Sequence, residues 1–212
     1  MNNAITFNVE KNSEEIRDTV LMNAIKMITR RGYLDVADDT INKVIKPNNP
    51  EHDDLKYLID INNYENDEKI KQMIIKIIPY KITSIGKNYG LADFLNSNKD
   101  IPKLLIVSSV NKRAISGALM YKNVEILEEK FLMCDLMEQV MVPLHIKLKN
   151  EEKEMVLKEY LVQKKDLPKI LITDPAAIYF KGHIGDIFRI VRPSARSGIS
   201  HAYRIVAQAP IK

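Results

Sequence analysis

The chain has 212 residues, of which 45% are apolar and 28% are charged, and such a composition is typical of a globular protein with one large or two small domains. Its single cysteine, Cys134, excludes an intrachain disulfide and a zinc site built from cysteines. No segment approaches the roughly 18 consecutive apolar residues of a membrane span, and the polar N-terminus is unlike a secretory signal. We therefore expect a soluble, intracellular protein.

Charge is distributed unevenly along the chain. The net charge is +4, but residues 143–212 carry 13 Lys/Arg against 7 Asp/Glu, a net +6, whereas the first 142 residues carry 19 against 21, a net −2. A basic C-terminal part indicates an anionic neighbour, either nucleic acid or an acidic protein surface, or simply a solvated lysine-rich face. Charge alone does not decide between these interpretations.

The first hundred residues predict a mixture of helices and strands. Ser13 as a cap, followed by two acids, predicts a helix that ends near Gly32. Isoleucines at helical spacing predict a second helix farther along, over residues 68–78. The other predictions here are a loop with one short helix over 38–50, a strand over 56–61, a turn over 62–67 and a helical turn over 89–95.

A strand–helix–strand unit follows. Residues 103–108 form a continuous apolar run after Pro102, which predicts a central strand buried on both faces. The predicted loop, helix and second strand cover residues 109–113, 114–121 and 124–127, and a unit of this length favours parallel strands. Lys112 and Arg113 lie on the predicted loop beside a helix N-terminus, where backbone N–H groups favour phosphate. Their alternative is two cations that point into solvent.

The C-terminal third predicts a small mixed α/β module. Asn150 is the expected cap of a helix, whose buried face pairs Val156 with Tyr160 and Leu157 with Leu161. A strand over 170–172 ends at Asp174 and Pro175, an N-cap carboxylate followed by proline at the first helical position. Residues 186–191 alternate as a half-buried strand does. We expect Arg192, Pro193 and Ser194 to end that strand, and Gly198 to permit a return into a strand over 202–206.

Sequence signatures of enzymes are missing. The chain contains no phosphate-binding loop of the Walker type, no dinucleotide fingerprint, no zinc-protease helix and no nucleophile elbow. The four histidines are scattered without the spacing of metal ligands; they are His52, His145, His183 and His201. We therefore predict no catalytic residue, no metal, no cofactor and no small-molecule substrate.

Several short motifs occur in fixed order between Leu167 and Val206: LPKI, DPAAIYF, GD-x-x-RI-x-RPS and YRIV. Together with Val142-Pro143-Leu144-His145 upstream, they make this part of the chain similar to the C-terminal domain of the fifth subunit shared by eukaryotic nuclear RNA polymerases. Archaeal polymerases contain the same domain standing alone, as a small separate polypeptide. The RRGY sequence that closes the first predicted helix resembles the corresponding helix end in the N-terminal jaw domain of the eukaryotic subunit.

The resemblance implies an α/β fold in two domains. Residues 1–138 would form a jaw-like domain, similar to restriction-nuclease folds, and residues 139–212 a small mixed α/β assembly domain. The implied function is that of a non-catalytic subunit of a multisubunit DNA-directed RNA polymerase, which anchors to the largest subunit and supports the downstream DNA channel. The implied location is the nucleus for a cellular protein. For a large-DNA-virus version, which the abundance of Lys, Asn and Ile suggests, it is the host cytoplasm or the virion.

The resemblance also implies which residues meet partners. Arg192, Pro193, Ser194 and Arg196 could bind phosphate or a partner's carboxylate, or form an ordinary turn, and the resemblance favours a contact with the largest subunit. His145, Tyr203 and Arg204 belong to the matched motifs and complete the predicted partner-binding set, although a structural hydrogen bond is the favoured role of His145. Lys112 and Arg113 are the predicted contacts to downstream double-stranded DNA, through phosphate only. Family members usually carry an acidic residue where this chain has Ala195.

The alternative function is that of a free nucleic-acid-binding or nuclease-like protein, since the jaw domain resembles nuclease folds. Asp60 ends a predicted strand, as a nuclease carboxylate would. No Glu-x-Lys follows on a neighbouring strand, however, and a two-metal site would then lack its ligands. Co-purification separates the two functions, because a polymerase subunit should emerge from its native cell in a large complex.

Overall fold

A computed structural model describes residues 12–34, 46–47, 55–62, 64–65, 69–87, 90–97 and 99–208. The chain divides into two units between Cys134 and Asp135, and each contains one mixed sheet, so the expected α/β class is confirmed. Most of the predicted loop over 38–50, and His52, lie outside the described residues. Among the helices that are described, none is long and apolar enough to cross a bilayer.

Helix α1 spans Ser13–Arg30 and begins at a reciprocal cap. The Asn12 side chain accepts a hydrogen bond from the Glu15 amide at 2.8 Å, and the Glu15 carboxylate accepts one from the Asn12 amide at 3.1 Å. The cap is thus Asn12 and not the predicted Ser13, because only Asn12 has an acidic residue three positions later to complete the exchange. The helix ends before Gly32, whose φ of +77° suits glycine.

A buried ion pair connects the end of α1 to the first sheet. The Arg31 guanidinium donates two hydrogen bonds to the Glu125 carboxylate, with N···O distances of 2.7 and 2.8 Å. Burial alone would lower the pKa of Arg31, but the paired carboxylate outweighs it and the pKa is raised. Arg31 therefore does more than place a positive charge at the end of the helix, because its pair with Glu125 ties two distant segments together.

The first sheet has the strand order β1-β2-β3-β4-β5. Its strands are β1 Lys46–Pro47, β2 Leu55–Asp60, β3 Gln72–Ile82, β4 Lys103–Val110 and β5 Val124–Glu128. Helices α2 Leu91–Asn96, α3 Lys112–Ala118 and α4 Glu129–Leu132 belong to the same unit. Strands β3, β4 and β5 run parallel, and β4 is buried on both faces from Lys103 to Val107, so the predicted parallel unit and its central strand are confirmed.

The helix predicted over residues 68–78 is wrong, because residues 72–78 belong to β3. Met73, Ile74, Ile75, Ile77 and Ile78 are all buried, which is typical of a strand between two others and covered on both faces. Isoleucine also favours strands, because its branched side chain packs well on a pleated surface. The helical spacing of Ile70, Ile74 and Ile77 arose by chance, because five of the six residues from Met73 to Ile78 are apolar and any period fits part of such a run.

The second sheet has the order β6-β8-β9-β7. Its strands are β6 Leu144–Lys147, β7 Lys169–Leu171, β8 Ile187–Ser194 and β9 Gly198–Ala207, with helices α5 Asn150–Glu159 and α6 Pro175–Tyr179 in the connections. Strand β8 pairs antiparallel with β6 and β9, whereas β7 pairs parallel with β9. The predicted cap of α6 is confirmed, since the Asp174 carboxylate accepts a hydrogen bond from the Ala176 amide at 2.9 Å.

Helix α5 differs from its prediction at both ends. Its cap is Lys149 and not Asn150, and the Glu152 carboxylate accepts the Lys149 amide at 2.7 Å. Val156 is buried as expected, but Tyr160 and Leu161 are 53% and 92% exposed. The helix ends at Glu159, so positions 160 and 161 no longer follow its buried face.

Strand β8 begins later and ends later than predicted. Asp186 precedes it, and Arg192, Pro193 and Ser194 belong to it instead of ending it. Proline is tolerated here because the pairing with β6 stops at Val191, which lies opposite Leu144, the first residue of β6. Beyond Val191, within the described residues, β8 is paired only with β9.

Candidate partner-binding and DNA-facing surfaces

The hairpin of β8 and β9 brings four of the predicted partner-binding residues together. The strands pair as far as Ser194 and Gly198, and residues 195–197 form the turn. Gly198 has a φ of +71°, and the Ser197 amide donates to the Ser194 hydroxyl at 3.4 Å. Arg192, Pro193 and Arg196 are exposed and Ser194 is half-buried. The tip therefore presents two cations and a hydroxyl on a short ordered turn.

The sheet that carries this hairpin has two faces. The α5 face includes Ile187, which packs with Val156 of helix α5. The α6 face includes Phe188, whose ring lies 6.0 Å from that of Phe180, the residue that follows helix α6. Paired residues on antiparallel strands share a face, and successive residues of a strand alternate between the two faces. The register therefore shows which residues of β8 and β9 lie on the α5 face and which on the α6 face.

Tyr203 and Arg204 lie on opposite faces of the sheet. Tyr203 pairs with Arg189 on the α5 face, and its ring is 5.4 Å from that of Tyr160. Arg204 pairs with Phe188 on the α6 face and is exposed. The predicted partner-binding residues thus do not form one patch. Neither residue sits at the hairpin tip with Arg192 and Arg196.

His145 is a buried residue of strand β6. It is 8% exposed, its Nδ1 lies 2.7 Å from the Pro143 carbonyl oxygen, and its ring is 6.4 Å from that of Phe188. Since a carbonyl only accepts, Nδ1 donates in this contact. This hydrogen bond orients the chain where it enters the second sheet. A direct contact between His145 and a partner stays a prediction.

Asp186 is a polar residue that the sequence pattern presents only as part of a strand. It is 9% exposed, and its carboxylate accepts hydrogen bonds from Lys153 at 2.7 Å and from the His183 amide at 2.9 Å. Lys147 approaches the same carboxylate to 3.1 Å. Burial would raise the pKa of Asp186, but the hydrogen bonds and the two lysine charges outweigh it and hold the pKa below its ordinary value. The Gly-Asp pair of the matched motif is the signal that could have identified it.

The two predicted DNA-facing cations lie together at the start of helix α3. Lys112 and Arg113 are the first two helical residues and both are exposed. The predicted loop over 109–113 is therefore wrong at both ends, since β4 continues to Val110 and the helix begins at Lys112. Ala114, the next residue, is fully buried and fixes this end of the helix against the protein core. The two charges are held on an ordered turn at the carboxyl end of the central strand.

Asp60, the residue considered for a nuclease, lies at the opposite end of the first sheet. A cavity of about 990 Å³ opens there, and its lining includes Asp60, Tyr64, Asp100 and Lys122. Asp60 accepts a hydrogen bond from the Gln72 side chain at 3.2 Å. Within the described residues, no group of three or more His, Cys, Asp or Glu side chains is placed to hold a metal ion.

Comparison with known proteins gives a consistent set of relatives. Residues 134–206 match the family described as "RNA polymerase Rpb5, C-terminal domain". The chain is 29% identical over 210 residues to "DNA-directed RNA polymerase subunit 5" of Acanthamoeba polyphaga mimivirus, covering 97% of this chain and 98% of the relative. It is also 29% identical over 208 residues to "DNA-directed RNA polymerases I, II, and III subunit RPABC1" of Caenorhabditis briggsae, covering 90% and 93%. The archaeal "DNA-directed RNA polymerase subunit Rpo5" of Methanosphaera stadtmanae is 40% identical over 72 residues, which are 34% of this chain and 94% of the relative.

Proposed function

Because this chain belongs to the family of the fifth subunit of DNA-directed RNA polymerases, and is a non-catalytic subunit of such an enzyme, we propose that its contribution is positional. It anchors to the largest subunit through the second unit and supports the downstream DNA channel through the first, which takes the role of the family's jaw. Its partners are the other polymerase subunits and downstream double-stranded DNA. Nucleotide addition belongs to other subunits of the complex.

The observation that carries the anchoring role is the exposed hairpin tip. Arg192, near the end of β8, and Arg196, in the turn, are both exposed, and Ser194, Ser197 and Gly198 hold the shape of the turn. Arginine pairs with carboxylates through a planar fork of donors, so two ordered arginines suit an acidic protein surface. The net charge of +6 over residues 143–212 supports the same kind of neighbour.

The observation that supports the DNA-facing role is the exposed pair of cations on α3. Lys112 and Arg113 project from the end of a buried strand, and nothing in this turn offers an element that could enter a groove and read bases. Their contact to DNA is therefore to phosphate and independent of sequence.

The relation to a mimivirus subunit over nearly the whole length of both chains fits a viral polymerase, with the host cytoplasm or the virion as location. A cellular polymerase would place it in the nucleus.

The function is tested by purifying the tagged full-length chain from its native cell. We expect it in a complex of several hundred kilodaltons that incorporates nucleotides on a DNA template, together with the other polymerase subunits. Arg192→Gln with Arg196→Gln should reduce the amount of complex that is recovered. Lys164→Gln with Lys165→Gln is the matched control, since it removes the same charge from exposed positions of the same unit. Recovery of the chain alone, or with nuclease activity and no other subunit, would contradict the proposal.

A further inference from the structure

Arg189 lies in the middle of the second sheet with an unsatisfied donor. It occupies strand β8 between Ile146 of β6 and Tyr203 of β9. Its Nε atom is buried, and no acceptor in the described part of the chain reaches it. A guanidinium keeps its charge at all ordinary pH values and has only donors, so a buried N–H without an acceptor is uncommon in a folded protein.

The surroundings of Arg189 are apolar and only partly covered. On the α5 face, Ile187 is fully buried near the helix, whereas Leu144 and Ile199, farther along the strands, are 57% and 60% exposed. Val191, next to Arg189 on the same face, is half-buried. Helix α5 ends at Glu159 and therefore covers only one end of this face. We call the uncovered part the Arg189 surface; it consists of Leu144, Arg189, Val191, Ile199 and the exposed His201, and it borders Tyr203, which packs beside helix α5.

We propose that the Arg189 surface binds an apolar segment of a partner polymerase subunit that carries an aspartate or glutamate, and that this carboxylate pairs with Arg189. The inference rests on the proposed function and specifies the chemistry of the partner. The proposed carboxylate contact is separate from the two arginines of the hairpin tip, because Arg192 lies on the α6 face and Arg196 in the turn. Arg189 is not among the residues that the sequence predicts to meet a partner.

Charge complementarity selects this occupant. A carboxylate matches the planar donor fork of arginine, and an apolar rim that excludes water strengthens such a pair. A DNA backbone would instead place hydrated phosphates and sugars against Leu144, Val191 and Ile199, which an apolar protein segment covers better. The charge of Arg189 already affects Tyr203 in the free chain. It lowers the pKa of the Tyr203 hydroxyl, although burial raises this pKa by a larger amount.

The test compares Arg189→Met, Arg189→Gln and Arg189→Lys in the tagged full-length chain. The measurement is the quantity of other polymerase subunits that stay bound to the chain after a salt wash. We expect Met and Gln to lower retention at least about tenfold, because truncation leaves the partner's carboxylate buried and unpaired. Lysine should recover part of it, since it supplies the charge without the fork. Lys165→Gln, which removes an exposed charge from the same unit, should retain the subunits as the wild type does.

A second measurement separates binding from a merely structural role. The melting temperature of the isolated full chain should be unchanged or higher for Arg189→Met, because the substitution removes a buried donor that has no acceptor. A structural role would instead lower the melting temperature along with retention, and that outcome overturns the inference. Ile199→Asp should lower retention without lowering the melting temperature, because Ile199 is exposed in the free chain.

The remaining outcomes are distinguishable. If the wild type retains the other subunits and Arg189→Met retains them equally well, the inference is wrong and the proposed function stands. If Arg189→Met retains the subunits but loses DNA in a salt series, the surface binds phosphate and the inference is again overturned. If the wild type itself retains no polymerase subunit, the proposed function fails and the inference fails with it.

Discussion

Asp186 shows how one buried carboxylate can organise several segments. Its carboxylate accepts hydrogen bonds from Lys153 of helix α5 and from the His183 amide in the turn before β8, and it forms an ion pair with Lys147 of strand β6. Because these contacts favour the charged form, the pKa of Asp186 is lower in the folded chain than in the unfolded one. Such a group adds stability above its unfolded pKa of about 4, and this stability is lost as the pH falls through the folded pKa.

We therefore expect Asp186→Asn to lower the free energy of unfolding by about 2–4 kcal/mol at neutral pH. The difference between wild type and variant should shrink below about pH 4, because Asp186 then binds a proton in the unfolded wild-type chain but, with its lower pKa, stays ionised longer in the folded chain. Urea unfolding of the two proteins between pH 7 and pH 3 measures this. A difference that stays constant over the whole range would show that the ionised state of Asp186 does not matter.

The proposed role of Lys112 and Arg113 predicts how DNA retention depends on salt concentration. Replacing both with alanine should weaken retention of downstream DNA equally on all sequences, and should reduce the slope of log affinity against log salt by roughly one to two units. The measurement is the lifetime of reconstituted elongation complexes across a salt series. Lys99→Ala with Lys122→Ala is the matched control, since these exposed lysines lie near the other end of strand β4. A slope identical to that of the wild type would mean that both cations point into solvent.

At the scale of elements, the sequence predicts best where several local signals coincide. Strand β4 and the short helix after Asp174 are found as expected, because each combines apolar residues with a proline or a cap, and β5 is found where the strand–helix–strand spacing predicts it. For strand β3 the sequence predicts a helix instead, because residues 73–78 are apolar except for Lys76, and such a run does not distinguish a helix from a strand. Only its pairing with β2 and β4, which the sequence does not display, settles its conformation.

The sequence also predicts one candidate site and misses another. The matched motifs locate the hairpin and its exposed arginines, since Pro193 and Gly198 mark a turn in the sequence. They do not identify Arg189 as a binding group, because its position in an alternating strand predicts only a partly buried side chain. How much of the α5 face stays uncovered depends on where helix α5 ends. The predicted end lies at least two residues too far along the chain, since it places Leu161 on the buried face, whereas the helix ends at Glu159.

The Arg31–Glu125 pair gives a prediction for the link between α1 and β5. Glu125→Gln leaves a buried guanidinium without its counter-charge, and should cost about 3–5 kcal/mol of unfolding free energy. Replacing both residues, as Arg31→Met with Glu125→Gln, should recover most of this loss, because no unpaired charge is then buried. Chemical denaturation of the single and double variants tests it. Equal stability of wild type and Glu125→Gln would exclude any stabilising role for the pair.

At the scale of the whole molecule, the two units should be separable. The division before Asp135 and the match of residues 134–206 to a single family domain both indicate that the second unit contains its own core. A fragment of residues 135–212 should therefore unfold in one cooperative thermal transition. Calorimetry of the fragment provides the measurement. A broad transition without a heat-capacity peak would show that the second unit depends on the first.

The length of strand β8 has a consequence for the chain before it joins its complex. Past Val191 the strand has no partner on the β6 side within the described residues, and such a free edge can recruit a strand from another molecule. Pro193 removes a backbone donor from this edge, while Arg192 and Arg196 add like charges that repel a second copy. We expect Pro193→Val to leave the melting temperature almost unchanged but to speed the aggregation of the unassembled chain, measured by light scattering. Equal aggregation rates would contradict this. The hairpin that we propose as a docking tip would then have a second role, which is to keep the unassembled chain from associating with itself.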